Sequence, residues 1–145
     1  MLESENDPIL LAEDDETDVL MLRMALKKAG LPNALFVVHD GQEAIEYLQG
    51  DPPYNDRPAY PLPGLLILDL KMPRMTGFDV LAWLGEHPQF RELPAVVLSS
   101  SCHEQDVAKA RQLGAREYHI KPHSFSELAM LLQKLSSHWL APSAV

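Results

Sequence analysis

The chain has 145 residues, 46% of them hydrophobic, which is the size of one compact domain and too short for two. Its 12 Lys and Arg residues stand against 21 Asp and Glu residues, giving a net charge of -9. A charge of this sign opposes binding to nucleic acid or to an anionic membrane surface, so we expect neither as a partner. The single cysteine cannot form an intrachain disulfide, and no apolar run has the length of a membrane span, so we expect a cytoplasmic protein.

Five short apolar runs alternate with segments of helical periodicity along the chain. Three of the runs are continuously apolar, as strands buried on both faces should be. This alternation predicts an α/β fold in which a five-stranded parallel sheet is doubly wound, with helices on both faces. The predicted strands are Ile9–Ala12, Leu35–Val38, Leu65–Leu68, Ala95–Leu98 and Tyr118–Ile120.

The helices between these strands are predicted from their faces and their start signals. In the first helix Val19, Leu22 and Leu26 share one face, and Gly30 ends it. Four later segments begin with a small oxygen-bearing residue three positions before an acid, which is a helix-capping pattern. These pairs are Asp40–Glu43, Thr76–Asp79, Ser101–Glu104 and Ser124–Glu127.

The remaining segments are predicted to be loops and tails. Residues Asp51–Gly64 contain five prolines, so neither a helix nor a central strand can run through them, and a surface loop is expected. The predicted organisation is a tail over residues 1–7, one domain over residues 8–140, and a second tail over residues 141–145.

Polar residues with reactive or charged side chains follow four of the five predicted strands. In open parallel sheets the functional crevice lies beyond the carboxyl ends of the strands. Clustered carboxylates repel one another unless a cation neutralises them, and an all-oxygen set suits Mg²⁺. A carboxylate beside such an ion is a plausible nucleophile toward phosphorus. The residues are Glu13, Asp14 and Asp15 after the first strand, Asp69 after the third, Ser99 and Ser100 after the fourth, and Lys121 after the fifth.

Taken singly, each of these residues has an ordinary structural explanation. Acids after a strand are most often helix caps, a strand-end Asp is often a turn residue, and a terminal Lys is often solvated. Their joint occurrence at four strand ends favours the functional interpretation.

Four segments resemble the receiver domain of two-component response regulators, and the resemblance covers about residues 8 to 139. They are ILLAEDD at 9–15, LLILDLKMPRMTGFD at 65–79, LPAVVLSSS at 93–101 and GAREYHIKP at 114–122. The resemblance implies the flavodoxin-like receiver fold with strand order 2-1-3-4-5. It also implies a signalling protein, not an enzyme with a separate substrate, that accepts a phosphoryl group from a histidine kinase.

The resemblance also assigns roles to individual residues. It implies that Asp69 is phosphorylated with the help of Lys121 and Ser99, and that Ser99 and Tyr118 form the switch that responds. A Mg²⁺ ion would be held by Asp14, Asp69 and the backbone carbonyl of Lys71, with Glu13 acting largely through water. Pro122 would follow a cis peptide bond.

A narrower resemblance is to the small stand-alone regulators associated with cyanobacterial phytochrome kinases. These share the proline-bearing loop before the third strand and an aromatic end to the last helix, here His138–Trp139–Leu140. The partner so implied is a phytochrome-like sensor histidine kinase, with output through protein contact. A homodimer through the fourth helix, the fifth strand and the last helix is a further expectation, with Trp139 either in that interface or folded onto the domain's own core. No small-molecule substrate beyond phosphodonors is expected.

Three other functions compete with this one. An aspartyl-nucleophile phosphatase usually needs a second acid two residues after the nucleophile, where this chain has Lys71. A flavin carrier needs a hydroxyl- and glycine-rich phosphate cradle after the first strand, where Glu13–Glu16 would repel a phosphate. A receiver-like binding module that no longer takes a phosphoryl group stays open, although the retained acids, hydroxyl and lysine argue against it.

Overall fold

The computed structural model describes residues 7–140, and its sheet has the predicted order β2-β1-β3-β4-β5, with every neighbouring pair parallel. All five predicted strands are confirmed, and two of them are one residue longer than expected. The strands are β1 (Ile9–Ala12), β2 (Leu35–Val38), β3 (Leu65–Leu68), β4 (Ala95–Ser99) and β5 (Glu117–Ile120). The helices are α1 (Glu16–Lys28), α2 (Gly41–Gln49), α3 (Gly77–Gly85), α4 (Glu104–Gln112) and α5 (Phe125–Trp139), with a short 3₁₀ helix at Pro88–Phe90. The tail predicted at residues 1–7, apart from Asp7, and the tail predicted at residues 141–145 lie outside the described residues.

Each central strand buries side chains on both faces of the sheet. Leu10, Leu66 and Val97 face one core, which α2, α3 and α4 cover. Leu11, Ile67 and Val96 face the other, which α1 and α5 cover. Successive side chains of a strand point to opposite faces, so only a continuously apolar run can fill both cores. This explains why β1, β3 and β4 carry no alternating polar residues.

Side-chain caps start four of the five helices. Asp15 accepts from the peptide N–H groups of Thr17 and Asp18 at the start of α1, and Asp40 accepts from that of Glu43 in α2. The predicted caps Thr76 and Ser124 are also present, at α3 and α5.

The predicted cap at Ser101–Glu104 is wrong. Helix α4 begins after His103, which makes no side-chain capping hydrogen bond. The buried hydroxyl of Ser101 donates instead to Asp106 Oδ2, over 2.5 Å. The same oxygen accepts from the N–H of His103 over 3.4 Å, within the loop, and the helix starts two residues further on than the pattern predicts.

The proline-rich segment forms an ordered loop, as expected, and packs against α2. Arg57 donates from Nη1 to the carbonyl of Tyr47 (2.9 Å) and from Nη2 to that of Leu48 (2.9 Å), near the end of the helix. The Tyr54 hydroxyl donates to Glu43, and the ring of Tyr54 packs 5.0 Å from that of Tyr47. The loop therefore supplies side-chain donors to carbonyl groups in the last turn of α2, where helical partners run out.

Two further expectations concern the end of the domain. The expected cis bond before Pro122 is wrong, since the cis peptide bond among residues 7–140 is Pro52–Pro53; the trans form is the lower-energy one at most X-Pro bonds. Trp139 folds onto its own domain, because its Nε1–H donates to Glu117 at the start of β5, and Leu140 is 4% exposed. Within the described residues no helix is both long and apolar enough to cross a membrane.

Candidate functional site at the carboxyl edge of the sheet

Three carboxylates meet where β1 and β3 end. Glu13, Asp14 and Asp69 each offer one oxygen, and these oxygens all lie within 4.8 Å of one another. The two strands pair in register, with Ala12 opposite Leu68, so the residues that follow them emerge side by side. Glu13 and Asp69 are buried, and Asp14 is exposed.

Lys121, after β5, places its ammonium among these acids. Its Nζ lies 2.9 Å from Glu13 Oε1, 3.2 Å from Asp69 Oδ2 and 2.7 Å from Asp18 Oδ2. An ammonium has three N–H donors, so these acceptors can use all of them. Burial alone would lower the pKa of Lys121, but the hydrogen bonds to Asp18 and Glu13 and the charge of Asp69 outweigh it and raise the pKa, so the lysine is cationic at neutral pH.

The cluster fits a divalent cation. Burial raises the pKa of Glu13 to about 7; the hydrogen bond from Lys121 opposes that rise and the charge of Asp69 adds to it. Lys121 alone therefore does not offset the burial and the neighbouring charge that disfavour the ionised carboxylate of Glu13. Oxygen ligands from a few carboxylates, with remaining positions for water, are what Mg²⁺ takes in proteins. The donor chemistry and the 4.8 Å spread of the oxygens agree with such an ion.

The backbone around Asp69 is packed tightly. The peptide N–H of Leu70 donates to Asp69 Oδ1 over 2.7 Å, which orients the carboxylate. Helix α3 begins directly against this turn, where the N–H of Gly77 donates to the carbonyl of Leu70. A Cβ at Gly77 would lie 2.3 Å from the carbonyl oxygen of Asp69, so only glycine fits there without a shift of the backbone.

An ion pair fastens the loop that follows Asp69 to the start of α2. Arg74, whose φ is 65°, donates from Nε to Asp40 Oδ2 (2.8 Å) and from Nη2 to Oδ1 (3.2 Å). In addition, the N–H of Gly41 donates to the carbonyl of Met75. Burial opposes a lower pKa at Asp40, but the hydrogen bond from Arg74 prevails and lowers it. The loop between β3 and α3 is thus held both at Asp69, where it begins, and at Arg74 and Met75.

Ser99 and Tyr118 do not line the acidic crevice, and they are connected to each other through Ser101. Ser99 is fully buried, and its Oγ accepts from the N–H of Ser101 over 3.2 Å. The Tyr118 hydroxyl donates to the carbonyl of Ser101 over 2.8 Å. Both predicted switch residues therefore contact the same residue of the β4–α4 loop.

An open crevice of ≈ 490 Å³ lies over the cluster, and it brings together most of the predicted site. Lys71 is in the loop beside it, with an exposed side chain and its N–H 3.5 Å from Asp69 Oδ1. Asp18, which makes the shortest contact to Lys121, was not predicted as a site residue from the sequence. The one signal for it was an excess of acids after β1, more than a single helix cap needs. The crevice is lined by Glu13, Asp14, Asp15, Asp18, Asp69, Ser100, Ile120, Lys121, Pro122 and His123.

A doubly wound 2-1-3-4-5 sheet with paired acids after β1, an aspartate after β3 and a lysine after β5 defines a phosphoryl-receiver class of protein. The family model described as the response regulator receiver domain matches residues 9–133. The chain therefore belongs to the response regulator receiver domain family, whose members act in two-component signalling.

Individual relatives agree with this assignment. The response regulator Rcp1 of Synechocystis sp. is 32% identical over 142 residues, which are 97% of this chain and 95% of Rcp1. The crystal structure of the phosphorylated cyanobacterial phytochrome response regulator RcpA has a TM-score of 0.85 and 30% identity, over 96% of this chain and 97% of RcpA. The Mn²⁺-bound form of Rcp1 has a TM-score of 0.81 and 31% identity, over 96% of this chain and 98% of the other. The fold and the narrower resemblance to cyanobacterial phytochrome response regulators are confirmed.

Proposed function

We propose that this protein accepts a phosphoryl group on Asp69 from the phosphohistidine of a sensor histidine kinase, in a reaction that requires Mg²⁺. The observation that carries the proposal is the position of the Lys121 ammonium, which contacts the buried carboxylates of both Glu13 and Asp69. This contact places a positive charge against the carboxylates at the edge of the sheet where Glu13, Asp14 and Asp69 meet.

The proposed reaction forms one bond and breaks one. A carboxylate oxygen of Asp69 attacks the phosphorus, and the bond between phosphorus and the kinase imidazole breaks, which leaves an acyl phosphate on Asp69 and a histidine on the kinase. The N–H of Leu70 orients the carboxylate through Oδ1, and Lys121 contacts Oδ2. Lys121 then offsets charge on the transferring phosphoryl oxygens.

The metal ligands in this proposal are Asp14, Asp69 and the carbonyl of Lys71, with Glu13 contributing largely through water. Mg²⁺, when bound, neutralises charge on the phosphoryl oxygens. The Mn²⁺-bound form of Rcp1 supports a divalent ion in a protein of this type. The three carboxylate oxygens within 4.8 Å of one another also support it, because a cation would offset their mutual repulsion.

Output in this proposal passes through Ser99 and Tyr118. A phosphoryl group on Asp69 adds acceptor oxygens at the end of β3, next to β4, and Ser99 is the predicted switch residue at the end of β4. If Ser99 turns toward the phosphoryl group, the N–H of Ser101 loses its present acceptor. The carbonyl of Ser101 holds Tyr118, so a shift of this loop reaches the aromatic side chain as well.

The test is incubation with acetyl phosphate, with and without Mg²⁺, followed by measurement of the intact mass. We expect the mass of one added phosphoryl group in the presence of Mg²⁺ only. Asp69→Asn should keep the fold and lose the label, because the amide is nearly isosteric but a poor nucleophile. A folded protein that takes no label would instead support the receiver-like binding module, and a label that persists in Asp69→Asn would exclude Asp69 as the acceptor.

The proposed partner is a phytochrome-like histidine kinase in the cytoplasm, with output by protein contact and no nucleic acid. The phytochrome association of RcpA supports the kinase, and the single cysteine suits a reducing compartment.

The proposal includes a homodimer through α4, β5 and α5, for which Ile120 (50% exposed) and Met130 (67% exposed) supply apolar surface on β5 and α5. Light scattering with and without beryllofluoride should show a mass increase that Met130→Glu prevents; a constant monomer mass would exclude the dimer.

A further inference from the structure

Asp18 holds the ammonium of Lys121 more closely than the acceptor aspartate does. The distance from Nζ to Asp18 Oδ2 is 2.7 Å, and the distance from Nζ to Asp69 Oδ2 is 3.2 Å. Asp18 lies in the first turn of α1, where its own N–H donates to the capping carboxylate of Asp15. The contact therefore joins α1 to the residue after β5 across the crevice.

An ordinary explanation for Asp18 is the helix dipole, since acids in a first turn stabilise a helix. That role does not require a contact with Lys121, and Glu16 in the same turn already fills it. The Asp18 side chain is 40% exposed, yet it reaches inward to a lysine that is only 21% exposed. The direction of the side chain is therefore better explained by the ammonium than by the dipole.

The donors of Lys121 also limit what the lysine can do. Its three N–H groups face Glu13, Asp18 and Asp69, so none is spare. A phosphoryl group on Asp69 brings further anionic oxygens to the same place, and the ammonium must redistribute its donors to reach them. The carboxylate of Asp18, which accepts from the same ammonium, competes for those donors.

We propose that Asp18 is a positioning residue that competes with the phosphoryl group for Lys121 and so weakens the binding of phosphoryl groups at Asp69. This inference rests on the proposed function. Asp18 acts through Lys121 and does not touch the reacting atoms. Its carboxylate sets how much of the lysine's charge is available to the acceptor site.

The first experiment measures the Mg²⁺-dependent affinity for beryllofluoride from its ¹⁹F signal on the protein. Asp18→Asn keeps the shape and removes the charge, and it should tighten binding about two- to fivefold, the range expected for one partly exposed ion pair. Glu16→Gln is the matched control, because it removes the same charge from the same turn without touching Lys121. Equal affinities for Asp18→Asn and Glu16→Gln would overturn the proposal.

The second experiment examines the contact directly, without any phosphoryl analogue. The ¹H–¹⁵N signal of the Lys121 ammonium, assigned by its loss in Lys121→Met, should be visible in the wild type and in Glu16→Gln because carboxylates shield its protons from exchange. It should broaden in Asp18→Asn. A signal that is absent from the wild type, or the same in all three proteins, would show that Asp18 does not hold the ammonium.

The two proposals fail in different ways. A wild type that binds no beryllofluoride in the presence of Mg²⁺ contradicts the phosphoryl-acceptor function. A wild type that binds it normally, with Asp18→Asn behaving as Glu16→Gln does, contradicts only the role of Asp18.

Discussion

The hydroxyl of Ser101 donates to the carboxylate of Asp106 over 2.5 Å, and this bond joins the β4–α4 loop to the first turn of α4. The length is typical of a hydrogen bond from a hydroxyl to an ionised oxygen. The backbone of Ser101 also contacts Ser99 and Tyr118. The side-chain bond thus fixes the loop on which both proposed switch residues depend.

Removal of either side of this bond should destabilise the domain. Ser101→Ala should lower the free energy of unfolding by about 1 to 2 kcal/mol, because Asp106 loses a partly buried donor. Asp106→Asn should cost a similar amount, and the double variant little more, because both changes remove one interaction. Urea denaturation provides the measurement, and Ser100→Ala, at an exposed neighbour, is the control. Fully additive losses would show that the two residues act independently.

Asp14 should matter for the metal and not for the fold. Asp14→Ala should weaken Mg²⁺ binding at least about tenfold, since even the partners of metal ligands cost that much when removed. The side chain is exposed, so the unfolding free energy should change little. Calorimetric titration with Mg²⁺ tests this, with Glu16→Gln as a control for charge alone. An unchanged affinity in Asp14→Ala would mean that Asp14 is not a ligand.

The strands and most helix starts could be predicted because each depends on local pattern. A strand buried on both faces must be continuously apolar, so Leu65–Leu68 could be assigned from its letters alone. Caps such as Thr76 depend on residues three positions away. Ser101 shows where prediction from spacing fails. Its spacing to Glu104 is that of a helix cap, but its hydroxyl donates to Asp106, two positions beyond Glu104.

The acids and the lysine of the candidate site could be predicted from the ends of the strands, but the contact between Asp18 and Lys121 could not. Asp69 and Lys121 were recognisable because a parallel sheet brings its carboxyl ends to one edge. Asp18 is separated from Lys121 by 103 positions, and an acid in a first helical turn looks the same whether or not it contacts a lysine. Only the folded geometry distinguishes these two situations.

Gly77 should be required for both stability and the shape of the acceptor turn. Gly77→Ala places a Cβ 2.3 Å from the carbonyl oxygen of Asp69, and the backbone there must move. We expect a loss of about 1 to 3 kcal/mol in unfolding free energy, as for other overpacked sites, together with weaker Mg²⁺ binding.

Gly85→Ala is the matched control for this change, because Gly85 lies in the same helix with nothing within 4 Å of the new Cβ. It should be neutral or stabilising by up to about 1 kcal/mol, since alanine favours a helix. If the two variants had equal stability, the close approach at Gly77 would not restrict the turn.

Glu117 should make the stability of the last helix depend on pH. Burial would raise its pKa, but hydrogen bonds from His119, His138 and Trp139 outweigh that effect and lower the pKa below its ordinary value of 4.5. A group whose pKa is lower in the folded state contributes stability above its unfolded pKa and loses it as the pH falls through the folded pKa. The contribution of Glu117 is therefore complete at neutral pH and disappears in acid.

Trp139→Phe tests this dependence, because it keeps an aromatic ring and removes the N–H that donates to Glu117 Oε2 over 2.8 Å, together with one ring of the indole. At neutral pH the lost hydrogen bond should account for about 1 kcal/mol of the variant's loss of stability, the value of one partly exposed hydrogen bond to a charged group, in addition to any loss of ring packing. As the carboxyl takes up a proton, the bond weakens, and the difference should shrink as the pH falls below about 4.5 toward the lowered pKa of the folded state. Trp83→Phe is the control, since it makes the same change of ring at a side chain that stacks on His87, and its effect should not follow the protonation of Glu117. A Trp139→Phe difference that stays equally constant would show that the indole contributes by packing and not through Glu117.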